Sequence, residues 1–142
     1  MDADLVVRLE QAADRAFRDT PVRFAYLFGS RATGRPRPDS DTDVAVHLGG
    51  HVDRTDELTV ALRLCRRLSD EARIPDLDLV VLDHALLPLV GRVLTSRVVI
   101  YSADEPARVR YESRRLREFL DFQIKSDPLD RLLLAEIAAG RR

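Results

Sequence analysis

The segment YLFGSRATGRPRPDSDTDVAVHL, from Tyr26 to Leu48, is the most informative part of this sequence. It contains two apolar runs rich in residues that favour β-strands, joined by a loop that begins with Gly-Ser and ends with Asp-x-Asp. Glycine permits backbone conformations and close approaches that other residues forbid, so Gly29-Ser30 indicates a sharp turn after the first strand. The segment therefore predicts a strand, a turn and a second strand that begins with two carboxylates.

The two carboxylates at this point are Asp41 and Asp43. Residues i and i+2 of an extended chain point to the same face, so both side chains are expected to project together. A helical turn that starts at Ser30 would offer free N–H groups to an anion, and the serine hydroxyl would add a donor. Mg²⁺ usually binds one or two carboxylates together with substrate phosphate oxygens. The segment therefore predicts a site for metal and phosphate.

A third carboxylate, Asp78, lies inside the apolar run LDLVVLD. An unpaired charge buried there would be costly, so we expect Asp78 to face a partner or a metal. Asp76 shares its face at i+2 spacing and Asp83 ends the run, so the choice of third carboxylate stays open. Three carboxylates beside a phosphate-binding turn could hold two metal ions on a triphosphate, one activating the attacking oxygen and one neutralising pyrophosphate.

The rest of the chain alternates between helical and strand periodicity. A break in the last helix is expected at Asp127-Pro128, because proline opposes a continuing helix. With no repeat or linker, residues 1–142 are expected to form a single α/β domain, with helices over one mixed sheet in one pair of layers. We predict strands over 22–28, 43–48, 77–83 and 97–101, and helices over 2–18, 58–72, 85–95 and from about 104 onward.

Composition limits the class of protein. A chain of 142 residues can bury a core of its own, and its net charge of −1 gives no basic field for nucleic acid or membranes. The single cysteine, Cys65, cannot form an internal disulfide and suits a reducing compartment. No apolar run approaches a membrane span, and the first residues do not resemble a signal peptide. We therefore expect a cytoplasmic protein.

The joint spacing of Gly29-Ser30, ten intervening residues and Asp41-x-Asp43 resembles the signature of the nucleotidyltransferase superfamily related to DNA polymerase β. At background frequencies of roughly 5–7% per residue, this spacing arises by chance in about one such chain in a thousand. The run looks like the minimal form of the family, called MNT. The later segments LDLVVLD, RVVIYSAD and RRLREFLDF resemble MntA-type antitoxins, so the resemblance covers most of the chain and implies a polymerase β-like fold.

The resemblance also implies the chemistry. In this family the glycine and serine, here Gly29 and Ser30, contact the nucleotide phosphates. The paired aspartates and the third carboxylate, here Asp41, Asp43 and Asp78, bind Mg²⁺, as two ions, with ATP as co-substrate. MntA-type antitoxins pair with HepT-type toxins of the HEPN ribonuclease class and silence them by transferring AMP to a toxin tyrosine. An antitoxin enzyme is therefore implied, as a homodimer or as a hetero-oligomer with the toxin.

Two other functions stay open. A small-molecule nucleotidyltransferase of the antibiotic-modifying type would need a substrate pocket, and the chain is short for a separate acceptor-binding domain. A non-catalytic module could block a toxin by contact alone, but a full set of acidic ligands would then be a needless electrostatic cost.

Some side chains have two interpretations. Arg31 and Arg35 could reach triphosphate oxygens or could be exposed loop arginines. His47 shares the face of Asp41 and Asp43, but the histidines show no metal-ligand spacing. Apolar residues of the C-terminal helices could form an interface with a partner or part of the core, namely Leu116, Phe119, Leu120, Leu132, Leu133, Leu134 and Ile137.

Overall fold

A computed structural model describes the backbone of residues 2–34 and 41–138, and side chains within these ranges as far as residue 125. Every predicted helix and strand is present, with ends that differ from the predicted ones by at most about two residues, within the usual uncertainty of such boundaries. The elements in chain order are α1 (Ala3–Phe17), β1 (Phe24–Phe28), α2 (Ser30–Thr33), β2 (Thr42–His47), a 3₁₀ turn (Arg54–Asp56), α3 (Glu57–Ala72), β3 (Leu77–Val81), α4 (Leu87–Ser96), β4 (Val98–Ser102) and α5 (Glu105–Ala138).

The four strands form one mixed sheet in the order β3-β2-β1-β4. Strand β1 pairs antiparallel with both β2 and β4, whereas β2 and β3 are parallel and are connected through α3. Because β2 and β3 are parallel and β1 runs the other way, the end of β1 meets the beginnings of β2 and β3 at one edge of the sheet. This is the mixed α/β architecture that the sequence predicts.

Helices cover both faces of the sheet. Leu27 and Val44 pack with α1 and α3 on one face, whereas Tyr26 and Ala45 pack with α4 and α5 on the other. The expectation of one pair of layers is therefore wrong, since the sheet lies between two helical layers. The physical reason is visible in β1, whose five residues are all buried, as in strands that are covered on both faces.

Helix α1 shows how the sequence sets one of these layers. The Asp2 side chain accepts a hydrogen bond from the Leu5 N–H at 3.1 Å, which caps the first turn of the helix. The apolar side chains of α1 recur at helical spacing and are buried against the sheet, namely Leu5, Val6, Leu9, Ala12, Ala13, Ala16 and Phe17.

Helix α5 runs from Glu105 to Ala138 without a break, so the interruption expected at Asp127-Pro128 is wrong. Proline removes one N–H donor from the helix, and the leucine- and alanine-rich residues after it are strong helix formers. Asp104 starts the helix as predicted, because its side chain accepts from the Ala107 N–H at 3.1 Å. Within residues 2–34 and 41–138, no helix is both long and apolar enough to span a bilayer.

Candidate active site

Two of the predicted carboxylates lie side by side at the edge where β2 and β3 begin. The parallel register pairs Asp43 of β2 directly with Asp78 of β3. Both residues lie on the sheet face that carries Ala45 and Val80, the face covered elsewhere by α4 and α5. The fold therefore brings together two acidic residues that are far apart in the sequence.

The electrostatics of Asp43 reflect this crowding. Burial raises the pKa of the Asp43 carboxyl above its ordinary value, and the charge of Asp78 raises it further. Arg92 opposes this shift and lowers the pKa, while Asp41 adds a smaller upward contribution. Burial and the neighbouring charge of Asp78 thus make the negative charge of Asp43 costly.

Gly29 lies against the same carboxylate. Its φ of +77° and ψ of −154° belong to a region that is essentially restricted to glycine. A Cβ atom at this position would lie 2.7 Å from Oδ2 of Asp43, which is closer than such atoms approach. Strand pairing explains the contact, because Phe28 pairs with Asp43 and Gly29 follows at once. Both the backbone conformation and the contact with Asp43 therefore require glycine here.

The helical turn predicted at Ser30 is present as α2. The Gly29 carbonyl accepts from the N–H groups of Ala32 and Thr33, at 3.1 and 3.2 Å. The Ser30 N–H therefore precedes the first bonded donors of the turn, as is usual at a helix start. Ser30 itself is half-buried beside the Gly29–Asp43 contact.

The structure places the remaining carboxylates differently from one another. Asp41 lies one residue before β2 and is exposed, and its charge acts on Asp43. Asp78 is also exposed although it lies within an apolar run, because β3 is an edge strand and its polar position opens to solvent. Asp76 lines a separate cleft with Arg8 and Arg73. Of the two alternatives, Asp78 is the one that adjoins Asp43.

Helix α4 contributes two residues that the sequence did not point to. The Ser96 hydroxyl oxygen accepts a hydrogen bond from the Gly29 N–H at 3.2 Å. The guanidinium carbon of Arg92 lies 5.7 Å from the centroid of the Phe28 ring, next to Asp43 in the sheet. No sequence signal identifies either residue, because only the packing of α4 on the sheet brings them to this edge.

His47 lies away from the carboxylates, at the other end of β2. His47 ends β2 and stacks on Phe24, with ring centroids 4.7 Å apart, and burial lowers the pKa of its imidazole. Its Nδ1 accepts from the Gly49 N–H at 3.1 Å, so its role is packing and turn formation. Arg31 lies half-buried in α2, and Arg35 is outside the described residues.

The donor set fits Mg²⁺ shared with a phosphate ligand. Among the described residues, no group of three histidines, cysteines or acidic residues is arranged to hold a metal ion alone. Asp43 and Asp78 provide two adjacent carboxylates, with Asp41 nearby. Mg²⁺ usually binds in this way, through one or two carboxylates with the other ligands supplied by water and substrate phosphates.

Solved structures share this fold. A chain from the crystal structure of a toxin–antitoxin with AMP-PNP has a TM-score of 0.68 and 22% identity, covering 88% of this chain and 98% of that chain. The MntA–HepT toxin–antitoxin has a TM-score of 0.64 and 20% identity, covering 89% and 97%. A chain from the structure of the tri-AMPylated Shewanella oneidensis HEPN toxin in complex with MNT antitoxin has a TM-score of 0.65 and 20% identity, covering 91% of this chain and 98% of that chain.

Sequence comparison identifies the family. No curated protein matches this chain significantly. Residues 3–106, which include the Gly29–Asp43 contact and Asp78, match the family described as polymerase beta, nucleotidyltransferase. The match spans most of the chain and every strand of the sheet. The chain therefore belongs to the polymerase β nucleotidyltransferase family.

Proposed function

We propose that this chain is an antitoxin that transfers AMP from ATP to a tyrosine of a HEPN-type toxin and so silences the toxin. The observation that carries the proposal is the pairing of Asp43 with Asp78, next to the close contact between Gly29 and Asp43. That arrangement joins a pair of acidic ligands to a turn suited to phosphate, within a nucleotidyltransferase fold.

The proposal assigns one role to the turn and another to the carboxylates. Gly29 and Ser30 seat the triphosphate, because the turn brings backbone close to the carboxylates without an intervening side chain. Asp41, Asp43 and Asp78 would hold Mg²⁺, as two ions with ATP. The chemistry that bound Mg²⁺ supplies is charge neutralisation of the phosphates and activation of the acceptor oxygen.

The reaction is a displacement at the α-phosphorus of ATP. The hydroxyl oxygen of the toxin tyrosine forms a bond to the α-phosphorus, and the bond from that phosphorus to the bridging oxygen breaks. Pyrophosphate leaves, and the hydroxyl proton passes to solvent. Rigid positioning and stabilisation of charge provide the rate enhancement, as in other phosphoryl transfers.

The proposed partner and co-substrate are supported by proteins of the same fold. One such structure holds AMP-PNP, and another joins an MNT antitoxin to a tri-AMPylated HEPN toxin. The long α5 of this chain offers exposed apolar side chains at Leu120, Phe122 and Ile124, which are 53%, 42% and 70% exposed. They are candidates for the toxin interface, whereas Phe119 is half-buried and packs on Gly91 of α4.

A labelling experiment tests the proposal. The chain is incubated with Mg²⁺, ATP labelled at the α-phosphate and the HEPN-type toxin of the same genome. We expect label on the toxin, and none when the wild-type chain is replaced by the double variant Asp41→Asn/Asp43→Asn. Asp70→Asn, which changes an exposed carboxylate of α3, is the control and keeps the activity.

The same experiment separates the alternatives. If the double variant transfers no AMP but still binds and silences the toxin, the chain is a blocking module and the enzymatic proposal is wrong. If label appears on an added aminoglycoside or similar hydroxyl compound but never on the toxin, the chain is a small-molecule nucleotidyltransferase.

A further inference from the structure

Arg92 of α4 lies beside the proposed nucleotide site. Its guanidinium carbon is 5.7 Å from the centroid of the Phe28 ring, a distance typical of a cation–π contact. Phe28 is the residue paired with Asp43, and the next residue is Gly29, which contacts the Asp43 carboxylate. The Arg92 side chain thus reaches the place where the acidic pair, Asp43 and Asp78, meets the turn at Gly29-Ser30. This turn is called the phosphate turn below.

Hydrogen bonding fixes the position of Arg92 relative to that turn. The Ser96 hydroxyl donates to the carbonyl oxygen of Arg92 at 3.0 Å and accepts from the Gly29 N–H at 3.2 Å. One residue before Arg92, Gly91 packs so closely on α5 that a Cβ would lie 2.1 Å from Cδ1 of Phe119. The backbone of Arg92 is therefore held both by the Gly29-Ser30 turn and by α5.

The guanidinium is available to a ligand. Arg92 is exposed, and among the side chains that the structure describes no carboxylate forms an ion pair with it. Its positive charge nevertheless acts on Asp43, lowering the pKa of that carboxyl. Guanidinium matches the geometry of phosphate oxygens with two parallel N–H groups, which an ammonium cannot do.

We propose that Arg92 binds the phosphates of the nucleotide beyond the α-phosphate, so that it selects a triphosphate over a monophosphate. The inference rests on the proposed function, since it assigns a residue to the same nucleotide site. Arg92 approaches the Gly29-Ser30 turn from α4, on the same face of the sheet as the carboxylates of Asp43 and Asp78, and provides positive charge from this chain itself. In the transfer step it would also contact the departing pyrophosphate.

Nucleotide affinity tests this role without any transfer. The probes are AMP and an ATP analogue with a methylene group between the α- and β-phosphates, measured by calorimetry with Mg²⁺ on wild type, Arg92→Ala and Arg92→Lys. We expect Arg92→Ala to lower the affinity for the analogue by about tenfold or more and the affinity for AMP by less than about twofold. Arg92→Lys should recover part of the lost affinity, because lysine restores the positive charge without the two parallel N–H groups of guanidinium.

The control is Arg66→Ala, which removes an exposed arginine of α3 on the other face of the sheet. It should leave both affinities unchanged, and thermal unfolding should show that Arg92→Ala is folded. The inference is overturned if Arg92→Ala binds the analogue as tightly as wild type does, or if the substitution lowers the affinities for AMP and for the analogue by the same factor. In both cases toxin labelling by the wild type still supports the proposed function. Failure of the wild-type chain to bind the analogue at all would overturn the proposed function together with the inference.

Discussion

At the scale of single residues, the site depends on close contact between a glycine and a carboxylate. Gly29 is both outside the usual backbone conformations and too near Asp43 to carry a side chain. Sequence reasoning identified both residues from their spacing, but only strand pairing shows that they touch. Their contact places the turn directly beside the acidic pair, as the proposed site requires.

Substituting Gly29 by alanine should therefore lower both activity and stability. The new Cβ must displace the Asp43 carboxylate, and we expect AMP transfer to fall by about 100-fold, a typical effect of a displacement near 1 Å. Backbone strain should lower the free energy of unfolding by about 1–3 kcal/mol. Initial rates of toxin labelling and denaturant unfolding measure the two effects.

Gly50 provides the matched control for this substitution. Its φ is +75°, but a Cβ there would meet no atom within 4 Å. Gly50→Ala should lower stability through backbone strain and leave transfer unchanged. Equal activity losses in both glycine variants would contradict the importance of the contact with Asp43.

The raised pKa of Asp43 leads to a prediction on stability and pH. A carboxyl whose pKa is raised on folding stabilises the fold fully below its unfolded pKa, and that stability is lost as the pH rises through the folded pKa. Without Mg²⁺, Asp43→Asn should therefore melt at a higher temperature than wild type near neutral pH, by an amount that solvent screening of the half-buried carboxylate reduces. The difference should shrink as the pH falls toward the ordinary carboxyl pKa.

Thermal melts in chelator across this pH range measure the effect. Asp70→Asn, an exposed carboxylate of α3, controls for the loss of one negative charge and should not show the same rise. An Asp43→Asn variant that is less stable than wild type near neutral pH would show that the Asp43 charge is already satisfied by the fold.

At the scale of elements, α4 connects the site to the rest of the protein. It carries Ser96 and Arg92 to the phosphate turn, and Gly91 lets it pack directly on Phe119 of α5. The position of the turn is thus coupled to the contact between two helices on the same face of the sheet.

Gly91→Ala should disturb that contact. The added methyl group would lie 2.1 Å from the Phe119 ring, so the helices must separate or the ring must move, at a cost of about 1–3 kcal/mol in the free energy of unfolding. Nucleotide affinity should fall as well, because α4 positions Ser96 against Gly29. Denaturant unfolding and calorimetry measure the two quantities.

A second substitution tests whether the clash is the cause. Phe119→Leu in the Gly91→Ala background shortens the side chain that the methyl group meets, so it should restore part of the lost stability. Strictly additive losses in the double variant would show that Phe119 is not the source of the effect.

At the scale of the whole molecule, the sequence predicts local structure better than it predicts what the fold brings together. The strands, the turn at Gly29 and the helix start at Asp104 could be predicted because each depends on neighbours in the chain. The exposure of Asp78 could not be predicted, since it depends on β3 being the outermost strand of the sheet. The position of Arg92 beside Phe28 could not be predicted either, since it depends on how α4 packs on the sheet.

The second helical layer was missed for a related reason. A short apolar run does not show whether one or both faces of a strand are covered, and β1 is covered on both. The unbroken α5 shows a different limit, since one proline did not outweigh strong helix formers on its C-terminal side.

The intact mass of a HEPN-type toxin co-expressed with this chain separates catalysis of AMP transfer from simple blocking of the toxin. We predict that the toxin mass increases by one or more whole AMP units, located on tyrosine by fragmentation, and that co-expression with Asp41→Asn/Asp43→Asn leaves the mass unchanged. An unmodified toxin that is nevertheless silenced by the wild-type chain would contradict the claim that the acidic pair of this fold catalyses AMP transfer.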